Sequence, residues 1–309
     1  MSTSTSNVPH IGLRRVLGPA HVWALGVGIV LVGEFMGWNF TIDNGGPWAA
    51  LVACFVSGLL YTCVAMIDSE VTSTVAAAGG QYTQAKHIVG PLMAFNVGLY
   101  LVLAYTMLEA ADAIVVGDLM KSLAADFGGA SPEQAEQLAR PFVTLSILIL
   151  ALLNYRGVFM TLSVNIVITG FAFLAILLLL FHVGPWSGTQ LLQHKVFFSN
   201  ETLPYGWLGV LASLQFGMWY YLGIEGTCQS AEEVRSPGRA IPLGTMTGML
   251  TLVIAAIITW YVCTGLIPWE YLGIAATPMY DAGKLTGNWG LQVLMWVGSA
   301  FAAMGVSRH

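Results

Sequence analysis

Eight apolar runs recur along the chain, and they restrict the fold more than any other feature of the sequence. A membrane-spanning helix needs about 20 predominantly apolar residues. The lipid interior admits only helices and closed barrels, because every backbone polar group must be bonded within the protein. Only 9% of the 309 residues are charged, against about 25% in soluble domains. We therefore predict an all-α integral membrane protein, with spans at 20–43, 47–69, 91–117, 141–155, 157–182, 207–229, 243–267 and 288–306.

The basic residues indicate how these spans are oriented. Cytoplasmic loops of membrane proteins carry an excess of lysine and arginine. If the N-terminus is cytoplasmic, seven basic residues fall on the cytoplasmic side and four on the other. The first group is Arg14, Arg15, Lys86, Arg156, Arg235, Arg239 and Arg308, and the second is Lys121, Arg140, Lys195 and Lys284. We predict a multi-pass protein of the cell inner membrane with a cytoplasmic N-terminus.

Two of the spans carry an acidic residue between glycines. The first span contains Gly33–Gly37 with Glu34, and the sixth contains Gly223–Gly226 with Glu225. A carboxylate in the hydrocarbon region costs about 3 kcal/mol on insertion scales, and glycine favours a break in the helix. Interrupted helices at corresponding positions of two halves indicate a transporter site near the membrane midplane. Close helix packing is the alternative role of the glycines, but packing alone does not require the acids.

The third span carries a further polar group of residues. Tyr105, Glu109 and Asp112 follow a spacing of four and then three residues, which places them on one face of a helix. Two acids one turn apart favour the neutral form of one of them. The group is therefore a candidate for a proton relay or a cation site. The alternative is that Asp112 lies in water near the outer end of the span.

Two connecting segments carry their own signals. Loop 118–140 contains Ser131 followed by Pro132, Glu133 and Gln134, a helix start with proline at its first position. We predict a short outer helix there. Segment 70–90 contains three glycines and a Gly-Pro pair, so we expect it to be broken.

Several classes of function lack support in the sequence. The four cysteines lie in apolar runs without metal-site spacing, and we expect them to pack as small hydrophobes. No histidine pair has ligand spacing, and no nucleotide-binding loop or nucleophile elbow is present. A nucleic-acid-binding signature is likewise missing from the sequence. We predict neither an enzyme nor a metal site, a cofactor or a nucleic-acid partner; the expected partners are the lipid bilayer and a small solute.

Four motifs give the chain a family resemblance. They are Gly33–Asn39, the segment from Glu70 through Ala78–Tyr82, Asn154–Gly157, and Gly223–Glu225 followed by Ala231–Pro242. With these motifs the chain resembles the amino acid–polyamine–organocation transporter superfamily and, within it, the ethanolamine permeases. The resemblance implies an inverted-repeat fold of five plus five helices with discontinuous first and sixth helices.

The resemblance also implies a site and a domain plan. The substrate would lie at the two breaks, Trp219 would stack on it, and Glu225 would act in gating or proton sensing, with Asp112 as a further proton-coupling candidate. The candidate substrate-binding residues are Gly33, Glu34, Phe35, Gly37, Tyr105, Glu109, Trp219, Tyr220 and Gly223. The expected parts are a cytoplasmic tail (1–19), the first repeat (20–182), an outer loop (183–206) and an incomplete second repeat (207–309). Eight of the usual twelve spans are visible, so we expect a longer parent chain.

One departure from the family pattern bears on the substrate. Amino acid carriers have small residues after the first glycine of the first break, where this chain has Glu34 and Phe35. An ionised Glu34 would repel a carboxylate and attract an amine. We predict a secondary active transporter that imports ethanolamine or a similar small cationic amine by alternating access. The alternatives are an amino acid or polyamine permease or exchanger, and a non-transporting membrane fragment.

The coupling ion and the oligomeric state stay open at this stage. The fifth span offers Asn165 and Thr169 and no lysine, and the eighth offers Ser299. Coupling to H⁺, coupling to Na⁺ and exchange are all compatible with these residues.

Overall fold

The protein is helical throughout the computed structural model, which describes residues 15–75, 77, 79–155, 158–193 and 203–306. Within these ranges the only strand-like contact is an isolated bridge between Leu17 and Val234. The α-helices are α1 (Pro19–Phe35), α2 (Asn39–Gly45), α3 (Pro47–Thr74), α4 (Gly80–Ile88), α5 (Pro91–Gly128), α6 (Pro132–Tyr155), α7 (Val158–Val183), α8 (Gly206–Leu214), α9 (Pro237–Leu266), α10 (Trp269–Leu272), α11 (Pro278–Leu285) and α12 (Trp289–Val306). Short 3₁₀ helices at Gly217–Tyr220, Ile224–Cys228 and Ala231–Glu233 join α8 to α9.

Five of the predicted spans correspond to helices that are long and apolar enough to cross a membrane. α3, α5, α9 and the segment Met160–Val183 of α7 meet this criterion as single helices. α1 and α2 meet it together, as one span bent by 44°. The bend contains Gly37, whose φ of +94° is a left-handed conformation that favours glycine. The break predicted in the first span is therefore present.

The sixth predicted span is also interrupted. α8 ends at Leu214, and the chain continues through the 3₁₀ helices Gly217–Tyr220 and Ile224–Cys228 instead of one long helix. Gly223 separates these two turns with a φ of +108°. A side chain at Gly223 would also collide with Ile29 of α1. Residues 217–228 are thus an irregular segment packed on α1, as the glycines and the acid predict.

The prediction for loop 118–140 was wrong in one respect. α5 continues without a break to Gly128, and an ion pair of 3.1 Å between Asp118 and Lys121 lies along its last turns. The helix that starts at Pro132 is not a separate short helix, because it runs on to Tyr155 as α6. Its start at Pro132 is as predicted, and the Ser131 amide donates to Gln134 Oε1 at 3.0 Å. The predicted span 141–155 is therefore the second part of α6.

α1 lies at the centre of the bundle. Every residue from Ala24 to Phe35 is buried, and α1 packs against α7, α9 and α12. α3 packs against α9, and α5 packs against α6 and α12. The predicted span 288–306 corresponds to α12, whose apolar part, Trp289–Met304, is shorter than the other spans. Glu34, the acid of the first break, thus lies in the buried centre of the bundle.

Some residues that the sequence analysis used lie outside the described ranges. They are Arg14, Lys195 and Arg308, used for orientation, and Ala78, Arg156 and Gly157, used for the resemblance and the orientation. The cytoplasmic position of the N-terminus stays a prediction.

Candidate substrate site at the two helix breaks

The two breaks contact each other through Trp219. Gly33 of α1 lies so close to the backbone carbonyl oxygen of Trp219 that an added Cβ would overlap it. A Cβ on Gly37 would lie 3.2 Å from the indole ring of the same residue. Only glycine allows the backbone of one break to approach the other this closely. The structure therefore brings three predicted site residues, Gly33, Gly37 and Trp219, into one place.

A cavity of about 370 Å³ opens beside this contact. It lies between the break, α5 and the segment before α11. Its lining includes the predicted residues Gly37, Asp112 and Trp219, with Asp118 and Asn39 as further polar members. The remaining lining is apolar: Val32, Met36, Phe40, Ala111, Ile114, Val115, Ile274, Ala275 and Ala276. An apolar cavity with a few polar groups is the usual form of a small-molecule site.

Asp112 is the notable polar residue of this cavity. The residue is only 5% exposed, and its Oδ2 atom has no hydrogen-bond partner among the described residues. Asp118 differs, because its carboxylate pairs with Lys121 at 3.1 Å. No ion pair within the described ranges involves Asp112. A buried carboxylate without a cation is costly, so this position favours a positively charged ligand.

Asn39 holds the wall of the cavity in place. Its Nδ2 donates to the carbonyl oxygens of Gly273 and Ala275, at 3.2 and 2.8 Å. Its Oδ1 accepts from the Gly37 amide at 2.9 Å. The amide of the break that could otherwise bind a substrate carboxylate is thus already bonded. Asn39 was not among the predicted site residues, although a polar residue two positions after Gly37 in an apolar run was the available signal.

Glu34 lies on the other side of α1, away from the cavity lining. It is fully buried, and its Oε2 accepts a hydrogen bond of 3.3 Å from Thr259 of α9. Its Oε1 has no partner in the described part of the chain. The backbone oxygen of Glu34 accepts from Trp38 Nε1 at 3.0 Å, across the bend. Glu34 is thus tied to the bend but enclosed in this conformation.

Two other predicted contact residues, Phe35 and Tyr220, lie in the core beside the site. Phe35 is fully buried and lies against Gly298 of α12. Tyr220 is also fully buried, and its ring stacks on Trp38 with centroids 6.3 Å apart. Its hydroxyl lies 3.2 Å from Thr41 Oγ1. Neither side chain lines the cavity, so their role as substrate contacts stays a prediction.

Glu225 belongs to a second, more open cavity of about 570 Å³. This cavity lies between α3, α5 and the irregular segment, and Met218 lines it, whereas the next residue, Trp219, lines the first cavity. The amide of Gly223 donates to Glu225 Oε2 at 3.0 Å. The 3₁₀ turn Gly217–Tyr220 therefore separates two cavities, each with two carboxylates in its lining: Asp112 and Asp118 in the first, Asp68 and Glu225 in the second.

Tyr105 and Glu109 lie outside both linings. Both are half-buried on α5, and the Tyr105 hydroxyl accepts from Gln229 Nε2 at 3.3 Å. Of the three polar residues on this helix face, only Asp112 lines one of these two cavities. The i, i+4, i+7 spacing predicted that the three residues share one face of α5. It did not predict which of them lines the cavity.

Gln81 of α4 joins three elements in the lining of the second cavity. Its Nε2 donates to Asp68 Oδ2 of α3 at 3.1 Å and to the backbone oxygen of Glu225 at 3.3 Å. Gln81 was not among the predicted site residues. The Gly79-Gly80 pair before Gln81 was the signal, because it starts a helix that carries a polar side chain back towards the bundle.

We predict that Gln81→Met lowers the free energy of unfolding by about 1–3 kcal/mol, because it leaves the Asp68 carboxylate and the Glu225 carbonyl without their donor. Thermal unfolding of the detergent-solubilised protein, followed by tryptophan fluorescence, measures the effect. Gln215→Met is the matched control, since Gln215 is exposed and its amide donates to the carbonyl oxygen of Ala212, three residues earlier. Equal melting temperatures for the two variants would contradict a joining role for Gln81.

Comparison with known proteins agrees with this architecture. The family model for amino acid permeases matches residues 20–308. The chain is 62% identical over 307 residues to the uncharacterized transporter R00093 of Rhizobium meliloti (strain 1021), covering 98% of this chain and 65% of that protein. It is 26% identical to the methylthioribose transporter of Bacillus subtilis (strain 168), covering 93% of this chain and 62% of that protein.

A third relative comes from a plant. The chain is 27% identical to the vacuolar cationic amino acid transporter 4 of Arabidopsis thaliana, covering 93% of this chain and 49% of that protein. The chain thus spans about half to two thirds of the length of these relatives. Their names describe transporters and not enzymes.

Proposed function

Because the chain belongs to the amino acid permease family, within the amino acid–polyamine–organocation superfamily of multi-pass membrane transporters, we propose that it binds and transports ethanolamine or a similar small cationic amine. The single observation that carries this substrate class is the cavity in which the unpaired Asp112 carboxylate and the Trp219 indole share one lining. The transport cycle we propose is alternating access around the two breaks, within an inverted repeat of five plus five helices.

The chemistry of the cavity favours an ammonium group. Two opposite charges 4 Å apart attract by about 4 kcal/mol at the effective dielectric constant typical of protein sites. A cation over a tryptophan ring gains about 0.5–2 kcal/mol more. Asp112 and Trp219 can supply both interactions to one small cation. The apolar residues around them exclude water and strengthen the attraction.

The same groups disfavour an ordinary amino acid. A zwitterion brings a carboxylate, which Asp112 and Asp118 would repel in this cavity. The Gly37 amide, a natural donor to a carboxylate at the break, is taken by Asn39. Ethanolamine has the ammonium group without the carboxylate, and its hydroxyl is small enough to pair with a polar wall such as the backbone around Ala275.

A second candidate substrate class is a cationic amino acid or a polyamine. One relative is named for cationic amino acids, and the two cavities on either side of Gly217–Tyr220 offer separate carboxylates, Asp112 and Glu225. A long dication could contact both in turn. The proposal for a small monoamine is preferred because the 3₁₀ turn separates the two cavities in this conformation.

Uptake into proteoliposomes tests the proposed function. The 309-residue chain is reconstituted, and entry of radiolabelled ethanolamine is measured against unlabelled ethanolamine, putrescine, arginine and alanine as competitors. We expect saturable entry that ethanolamine suppresses most strongly and alanine hardly at all. Stronger suppression by arginine or putrescine would favour the second candidate. Binding of ethanolamine without entry would favour a non-transporting part of a larger carrier, and neither binding nor entry would overturn the proposal.

A further inference from the structure

Glu34 is a buried acid that the proposed amine site does not use. Its side chain is fully enclosed, in contrast to Asp112, which lines a cavity. The only described hydrogen bond of the carboxyl group is the one that Oε2 accepts from Thr259. Oε1 has no described partner. The question for an acid enclosed in this way is whether its carboxyl group is ionised or protonated.

The surroundings of Glu34 offer no positive charge. The titratable groups that interact with it are Cys54 of α3 and the phenols Tyr220 and Tyr221 of the irregular segment. α9 contributes the hydroxyl of Thr259. Among the described residues, no titratable group of α7 or α12 interacts with the Glu34 carboxyl group. No described ion pair includes it. All of these neighbours are neutral at physiological pH.

An ionised Glu34 would therefore be uncompensated. A desolvated carboxylate costs several kcal/mol, and a single hydroxyl donor offsets only part of this cost. A proton on Oε1 removes the charge and leaves Oε2 as the carbonyl oxygen that accepts from Thr259. We propose that Glu34 carries a proton in this conformation and is the proton-carrying residue of the transport cycle.

The position of Glu34 connects its protonation to the bend. Its neighbour Gly33 contacts the carbonyl oxygen of Trp219, and its own backbone oxygen bonds to Trp38 across the bend. Movement of α2 and the Gly217–Tyr220 turn away from α1 would break these contacts. Water would then reach the carboxyl group, and the proton would leave Oε1 for that water. Re-closure of the contact would require a proton to return.

The role of Glu34 in coupling rests on the transporter function proposed above. The claim that Glu34 is protonated does not depend on that function. The first measurement is therefore made without substrate. Infrared spectra of the purified protein in lipid nanodiscs at neutral pH should contain a carboxylic acid C=O band that is lost in Glu34→Gln. The control Glu270→Gln should leave the band unchanged, because Glu270 is exposed on α10. Absence of a Glu34-dependent band would overturn the proposal.

A second variant guards against loss of folding in Glu34→Gln. Thr259→Val keeps the shape of the side chain and removes the hydrogen bond to Oε2. The Thr259 hydroxyl can also donate to the carbonyl oxygens of Ala255 and Ala256, at 3.0 and 3.1 Å, so the C=O band should persist in this variant with at most a small change in frequency. Loss of the band in Thr259→Val would overturn the assignment to Glu34, because this variant keeps the acid and removes the one described donor that could stabilise its ionised form.

Uptake under a pH gradient tests the coupling. A proton gradient across proteoliposomes should change the initial rate of ethanolamine uptake by the parent protein. Glu34→Gln should lose this gradient dependence while it keeps exchange of ethanolamine between the two sides. A gradient effect that survives in Glu34→Gln would overturn the coupling role. Absence of uptake in the parent protein would reject the proposed function, and the infrared band would still decide whether Glu34 is protonated.

Discussion

Asp112→Asn should weaken ethanolamine binding at least about 30-fold, because loss of one partner of a desolvated charge pair costs about 2–5 kcal/mol. Asn keeps the size of the side chain and removes only the charge that the ammonium would meet. Isothermal titration calorimetry on the detergent-solubilised protein measures the loss.

Asp118→Asn is the matched control for this variant. Asp118 lines the same cavity, but its carboxylate is paired with Lys121. We expect a change below about fivefold, as for a partly exposed ion pair. Asp112→Asn should leave the melting temperature nearly unchanged, because Asn keeps the size of the side chain and Asp112 forms no ion pair among the described residues. Equal effects of the two variants on binding would show that net cavity charge, and not Asp112, determines affinity.

Gly33→Ala should disrupt the contact between the two breaks. The new Cβ would overlap the carbonyl oxygen of Trp219, and neither backbone can move without displacing a packed element. Overpacking of a core costs about 1–3 kcal/mol. We expect a cost at the upper end, because the new Cβ would meet a backbone atom and not the end of a flexible side chain. We expect a lower melting temperature and weaker ethanolamine binding, because Trp219 is pushed towards the cavity.

Gly170→Ala provides the comparison. Gly170 lies in α7, and a Cβ there meets nothing within 4 Å. Alanine should be neutral or slightly stabilising in that helix, since glycine costs up to about 1 kcal/mol in a helix interior. Fluorescence-detected thermal unfolding of both variants measures the difference. A Gly33→Ala protein as stable as Gly170→Ala would mean that the breaks do not need this close approach.

The sequence was sufficient to predict the class of fold and the two breaks. Long apolar runs predict membrane-spanning helices because the lipid interior requires every backbone polar group to be bonded within the protein. Acids between glycines predict breaks because both residue types are costly in a regular apolar helix. Gly37 and Gly223 both have the left-handed backbone that such a break requires. The end of α5 was harder, because residues 118–127 include two aspartates, a lysine and a serine but no glycine or proline. The polar residues predicted a loop, whereas the helix continues and merely extends beyond its apolar part.

The roles of the acids could not be assigned from the sequence. Glu34 was predicted to meet the substrate and Asp112 to take part in gating or proton coupling. The roles we propose are reversed, because α1 is rotated so that Glu34 faces α9, while Asp112 lines the cavity. The rotation of a helix that is apolar on all faces is set by the elements that pack against it. The sequence of such a helix does not show which face points towards the site. Asn39 and Gln81 were missed for a related reason: their partners are distant in sequence.

The most direct test of the account is the position of the bound ammonium group. Double-resonance solid-state NMR with nitrogen-labelled ethanolamine and carboxyl-labelled aspartate measures the distance from the ammonium nitrogen to an aspartate side chain. We predict a contact within about 4 Å, the distance of an ion pair, that disappears in Asp112→Asn and persists in Asp118→Asn. Bound ethanolamine that contacts no aspartate carboxyl, or whose contact survives in Asp112→Asn, would contradict the central claim.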